Sequence, residues 1–440
     1  GRRLAGAGGA DSLALVLVAG FVVTAYAEDR LALSGEYRVR GFYTENTFGY
    51  DSDNKLDNKS SFDQRFRLGG KITASEGVTA NFRFDFGEET WGNREAGATS
   101  PPGAGRPTEN NEFQVDRLYL RIERDIANFV AGQYDGAFGY VSGFETQQKW
   151  LLLRLKPGPV FVDLAYIKGD EGAGTSDEGD PDFTEDLDLY GANVMYSGEK
   201  FSAGAWLGMR TDKTADAVGS AATAEDSDLT GFAVYGSGSF GIVDIKAEFD
   251  YFDGESKILN APAGVDQKGQ QLWLFGKVKL GEKMAIPVHF LYAKGYADKA
   301  NENQVVEMAP AFGDFYPYNL SSIWNGDYSP WGSGEAFDVA GTGGGIMGLY
   351  AGFDWQLVEE HKIEFQAGYA APDTDLTVAD GFAGTDTMES YIFGAAGWAW
   401  DFVPAAQFAA AFVYGVPSFD DPNQKDDAAY QLLTKIRVKF

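Results

Sequence analysis

The sequence predicts an all-β fold: a transmembrane antiparallel up-and-down β-barrel of about 18 strands, with short periplasmic turns and long outer loops. Three observations predict it. Apolar and polar residues alternate with a period of two from Leu31 to Phe440. The segments that carry this alternation are joined by connections that are by turns short and long. The composition, with 56 Gly, 33 Phe, 22 Tyr, two His and no Cys, is that of many strands, tight turns and interfacial aromatics.

Residues 1–27 read as a signal peptide. Arg2 and Arg3 precede an apolar run from Leu13 to Val23, and Ala25-Tyr26-Ala27 offers small residues at the two positions a signal peptidase reads. The run is well short of the roughly 20 residues a helical span needs. The barrel is expected over residues 28–440. Its segments start near Leu31, Phe62, Val78, Phe113, Asn128, Gln147, Val160, Asp186, Phe201, Leu229, Ile242, Gln270, Ala285, Gly345, Lys362, Glu389, Ala406 and Ala429. Short connections fall at 74–77, 125–128, 157–159, 197–200, 238–241, 281–285, 358–362 and 401–405; the others are mostly longer, acidic and rich in Gly, Pro and Ser. Segments of about ten residues, at about 3.3 Å each and tilted, match the apolar band of an outer membrane.

The eleventh segment illustrates the two faces: Val243, Ile245, Ala247, Phe249 and Tyr251 alternate with Asp244, Lys246, Glu248 and Asp250. A barrel of about eighteen strands is too wide for side chains to fill, so the polar face is expected to line a water-filled lumen and the apolar face to meet lipid. Tyr43, Tyr196, Phe201, Tyr251, Tyr292, Trp355, Trp400 and Tyr414, near segment ends, suit the interfacial girdles. Segments four, five, eight, ten and sixteen alternate less cleanly.

The whole pattern, ending in Ile436-Arg437-Val438-Lys439-Phe440, resembles the outer-membrane porin superfamily of Gram-negative bacteria. Within it, Val115-Asp116-Arg117-Leu118-Tyr119-Leu120 followed by Val130-Ala131-Gly132-Gln133 is similar to a hairpin of several porins and of the alginate-export family. The latter resemblance implies eighteen strands and a basic lumen. Together they imply an outer-membrane channel for small hydrophilic, anionic solutes. A barrel that houses or anchors a partner protein and an exporter of acidic polysaccharide are the alternatives.

Other chemistry finds little support. A net charge of −29, with 65 acids against 36 bases, argues against nucleic acid as a partner. Zero Cys removes disulfides and thiolate metal sites. Gly343, Gly345 and Gly348 satisfy G-x-G-x-x-G but enter a strand rather than a helix, so no dinucleotide site is expected. His289 and His361 alone make neither a triad nor a multi-histidine metal site, and no enzyme is expected. Asp51, Asp53 and Asp57 lack the calcium-loop pattern, with Lys55 at a ligand position and Leu56 in place of the turn glycine. The acidic run of Asp170, Glu171, Asp177, Glu178, Asp180, Asp182, Glu185 and Asp186 reads as a solvated outer loop able to bridge calcium or magnesium loosely; no other cofactor is expected.

Two features define the candidate site. Taking the face opposite the apolar one as lumenal, Arg38, Arg40, Arg65, Arg67, Lys71, Arg83, Arg117, Arg121, Lys435, Arg437 and Lys439 form one basic wall across the first four strands and the last, partly neutralised by Glu36, Asp63, Asp85 and Glu123. The longest connection, 298–341, carries Phe312, Phe315, Tyr316, Tyr318, Trp324, Tyr328 and Trp331, aromatics that need burial and are expected to fold inward as a constriction or cap. The expected partners are outer-membrane lipid and lipopolysaccharide, small anionic solutes, and a second copy or partner protein.

Overall fold

A computed structural model describes residues 30–46, 52, 59–91, 113–140, 144–171, 186–212, 224–258, 265–295, 302–304, 323, 345–373, 388–419 and 425–440. Within them the alternation becomes eighteen long strands: β1 (Leu31–Glu45), β2 (Lys59–Ser75), β3 (Val78–Thr90), β4 (Phe113–Glu123), β5 (Ala127–Phe138), β6 (Phe144–Leu155), β7 (Val160–Glu171), β8 (Asp186–Ser197), β9 (Phe201–Asp212), β10 (Ala224–Phe240), β11 (Val243–Ile258), β12 (Val265–Lys279), β13 (Met284–Ala293), β15 (Ile346–Val358), β16 (His361–Ala371), β17 (Met388–Val403), β18 (Ala406–Phe419) and β19 (Ala429–Lys439). A three-residue strand, β14 (Glu302–Gln304), lies parallel to β12. The expected starts fall within five residues of these, with the widest differences at β10 and β12.

Each long strand pairs antiparallel with its neighbours in the chain, and β1 pairs with β19, so the sheet closes into a barrel. The final residue fastens the seam. Gly35 and Phe440 exchange backbone hydrogen bonds of 2.7 and 3.0 Å, and the Phe440 ring stacks on Phe66 at 5.8 Å. That ring lies where a side chain at residue 35 would begin, 2.3 Å from an ideal Cβ, so glycine is required there.

The outer face is apolar as expected: Leu33, Phe62, Leu164, Leu207, Val234, Leu349, Phe365, Ile392, Phe412 and Ile436 are all exposed. Tyr43, Tyr196, Phe201, Trp355, Trp400 and Tyr414 are exposed as well, in keeping with interfacial girdles.

The inner face departs from the expectation of a polar lining. From β5 to β11 it carries Val130, Trp150, Leu152, Ile167, Leu189, Trp206, Leu229 and Phe252, all buried in one cluster. A second cluster joins Leu291, Ile346, Tyr350, Tyr391 and Phe393. The physical reason lies in β5–β10, whose adjacent residues are often both apolar (Leu151 and Leu152, Leu189 and Tyr190). Such runs satisfy lipid on one side and apolar packing on the other, and they are what makes the alternation hard to read.

Candidate functional site in the barrel lumen

The basic wall runs in register. Arg437 of β19 is directly opposite Arg38 of β1, and Arg38 is directly opposite Arg65 of β2. One step toward the outer mouth, Lys435, Arg40 and Asp63 form the next row. Further along the sheet Arg83 of β3 is opposite Arg117 of β4. Like charges directly opposed across a ladder destabilise it, so these rows need anions.

Acidic side chains supply part of that need. Asp63 takes Arg40 at 2.5 Å, Asp85 takes Arg67 at 2.6 Å, Glu36 takes Arg65 at 3.4 Å and Glu123 takes Arg121 at 3.6 Å. Two further acids were not legible in the alternation. The pairing of β3 with β4 jumps between Arg83↔Arg117 and Phe84↔Val115, a bulge that takes Asp116 out of the register and turns it inward beside Arg117. Asp116, 2 % exposed, pairs with Arg83 and lies 4.0 Å from Arg67. Asp135 of β5 pairs with Arg117. Of the remaining bases, Lys435 is buried, Arg437 donates to Gln407 at 3.1 Å, and Lys71 and Lys439 are exposed near the periplasmic ends of their strands.

A second departure concerns what fills the lumen. β5 pairs with β4 only from Asn128 to Gln133, and β6 pairs with β7 only from Lys149 to Leu155. Beyond those points β5 and β6 pair with each other alone, up to Phe138↔Phe144. The upper half of this hairpin therefore leaves the wall and enters the barrel. Gly132, where it leaves, has φ +124°, and an ideal Cβ there would meet the Leu118 carbonyl oxygen at 2.4 Å. Gln133 then covers what the departure exposes: its Nε2 donates to the Val115 and Asp116 carbonyls at 2.6 and 3.3 Å.

The hairpin tip crosses to the facing strands. The Tyr140 backbone N–H donates to Glu248 of β11, and the Tyr140 hydroxyl shares 3.1 Å hydrogen bonds with Ser202 of β9 and Ser237 of β10. Its ring packs edge-on to Tyr235 at 5.2 Å, with Lys246 Nζ 5.6 Å from its centre. Gly139, at φ +91°, has Glu248 Oε1 2.2 Å from an ideal Cβ, so no other residue fits at the tip without moving that carboxylate.

Phe312, Phe315, Tyr316, Tyr318, Trp324, Tyr328 and Trp331 lie outside the described residues, as do residues 51, 53, 57 and 172–185. Ile323, between those aromatics in the chain, is inside the barrel. It is 4 % exposed and sits among Phe42, Ala399, Ala409, Ala411, Val413 and Leu433, on the inner faces of β1, β17, β18 and β19. Its carbonyl accepts from Lys435 Nζ at 2.8 Å, and its N–H points to Glu364 Oε2 at 3.4 Å.

The two histidines lie on opposite faces of the wall. His289 is buried inside, with Trp273, Tyr350 and Phe275 rings at 5.4, 5.7 and 6.3 Å. His361 is outside, stacked on Trp398 and Trp400 at 5.7 and 5.9 Å. Among the described residues no three His, Cys, Asp or Glu side chains gather as metal ligands.

A closed wall of eighteen antiparallel strands is an architecture that other barrels share. Solved structures agree with it over nearly the whole chain. A BenF-like porin from Pseudomonas fluorescens Pf-5 matches with TM-score 0.56 at 9 % identity, covering 94 % of this chain and 100 % of its own. The chain has the outer-membrane porin fold. Pseudomonas aeruginosa OccK8 (OprE) gives TM-score 0.53 at 9 % identity, covering 94 % and 98 %. The outer membrane protein opdK of the same species gives 0.52 at 10 % identity, covering 93 % and 99 %. No family model matches the chain, and no curated relative matches it in sequence. At these identities the likeness is one of porin architecture, and the lining residues of this lumen are its own.

Proposed function

We propose that this protein is an outer-membrane channel whose constricted lumen passes small hydrophilic anions. The observation that carries the reading is the row Arg437–Arg38–Arg65, three arginines brought into register on the inner faces of β19, β1 and β2. Guanidinium groups bind carboxylate or phosphate oxygens bidentately, and neighbours in a row let an anion pass from one to the next. The inturned β5–β6 hairpin and the chain at Ile323 narrow the passage, so a solute is brought within reach of the wall. The lumen charges act within about 10 Å at 0.1 M salt, so they outweigh the acidic outer loops in setting selectivity. No enzymatic role is proposed.

Single-channel conductance of the purified protein in a planar bilayer tests the reading. Discrete open steps are expected. A folded barrel that conducts nothing and co-purifies with an occupant would instead favour a sleeve around a partner protein.

A further inference from the structure

The hairpin that enters the lumen leaves a gap in the wall behind it. Above Leu118 the edge of β4, residues 113–117, pairs with no strand among the described residues, its Val115 and Asp116 carbonyls being taken by the Gln133 side chain, and neither does the edge of β7 at 169–171 that faced β6. β3 and β8 still cover the far sides of both strands, so the gap is bounded by two ladder edges. Ladder edges open at headgroup level need polar partners, from water or from a lipid headgroup.

The sill of the gap names the charge of that occupant. Its last β6–β7 pair is Lys149 directly opposite Lys168. Both point away from the lumen, since their neighbours Trp150 and Ile167 are buried inside. Lys168 is bound to Asp188 of β8 at 3.2 Å; Lys149 is exposed and has no acidic partner among the described residues. Lysines facing lipid are costly, and directly opposed lysines more so. An anion here gives Lys149 a partner, with Lys168, already held by Asp188, as a second donor. Beside them Tyr166 and Tyr190, with ring centres 5.3 Å apart, form an amphipathic pair of the kind found at headgroup level.

We propose that a phosphorylated lipid of the outer leaflet docks into this gap, with its phosphate held between Lys149 and Lys168 and its acyl chains along the apolar outer face of β4 and β6 below. The lysines supply charge-assisted hydrogen bonds to the phosphate. The lipid is a phosphorylated glycolipid, whose sugar oxygens meet the edges of β4 and β7. This site rests on the outer-membrane placement of the barrel but not on which ions cross it.

The test uses the full-length protein in phosphatidylcholine nanodiscs, offered diphosphorylated lipid A or the same lipid after phosphatase treatment, with bound lipid counted by native mass spectrometry. Wild type is expected to retain one diphosphorylated lipid A. Lys149→Gln with Lys168→Gln should lower retention at least tenfold, Lys149→Arg with Lys168→Arg should keep it, and the dephosphorylated lipid should not be retained. If the double Gln variant fails the heat-shift check for a folded barrel, Lys149→Gln alone is read in the same way. Equal retention of the dephosphorylated lipid, equal retention by the Gln variant, or no retention by wild type would each overturn the proposal. Conductance measured on the same preparation reports the channel reading separately.

Discussion

Lys435 reaches from the last strand to the carbonyl of Ile323, a 2.8 Å hydrogen bond between residues 112 positions apart in the chain. It fixes Ile323 of the longest connection inside the barrel, in a notch lined by the small side chains of Ala399, Ala409 and Ala411. Lys435 belongs to the basic wall, so one of its charges is spent on positioning.

Breaking that bond should open the pore. A hydrogen bond to a charged group contributes roughly 1.5–3 kcal/mol, and Lys435→Met removes it while keeping an unbranched apolar stem one atom shorter. Larger or noisier single-channel conductance is expected, with an unchanged heat-shift on gels. Deleting 312–331 should raise conductance further. Conductance identical to wild type in both variants would place this connection clear of the ion path.

The hairpin tip makes a second, independent restriction. Tyr140→Phe loses the hydroxyl that bridges to Ser202 and Ser237, at a cost of about 1 kcal/mol, and should show brief excursions to a wider state. Gly139→Val collides with Glu248 and should displace the tip for longer. The open-state distribution in bilayer recordings checks both, and Gly139→Val conducting as wild type does would contradict the tip's assigned position.

Closure of the sheet predicts resistance to detergent. With β1 paired to β19 no ladder edge lies at the seam, so unfolding has no easy starting point there. The unboiled protein should run faster than the boiled form in SDS. Deleting Phe440 removes both its bonds to Gly35 and its stacking on Phe66, and should lower the temperature at which the fast form is lost. Identical mobility with and without boiling would count against a closed barrel.

Most of the wall was legible in the sequence because a period of two writes each strand's faces directly into it. Arg38, Arg65, Arg83 and Lys435 follow from counting alone, and Phe440 from its place at the end. Four things were hidden. Asp116 faces inward because a bulge breaks the count by one residue, and a bulge is a property of two strands together. The inturned hairpin keeps its own pairing, so Tyr134–Phe138 reads as ordinary strand; Gly132, Gly136 and Gly139 were the signal that the strand bends. The apolar lining of β5–β11 depends on what packs against it, which alternation does not encode. Ile323 had no signal among its more conspicuous aromatic neighbours.

On the proposed function the inner wall, rather than the acidic outer loops, sets which ions pass. The wall carries eleven bases, and among the described residues its acids are Glu36, Asp63, Asp85, Asp116, Glu123 and Asp135. Bases remain in excess, while the whole chain carries −29. The two statements give opposite signs for selectivity. Reversal potential under a KCl gradient separates them most directly. Preference for chloride is expected, weakened when Arg38, Arg65, Arg83 and Arg117 are replaced together by Gln; a cation-selective wild-type channel would show that the acidic loops govern entry and the basic wall does not.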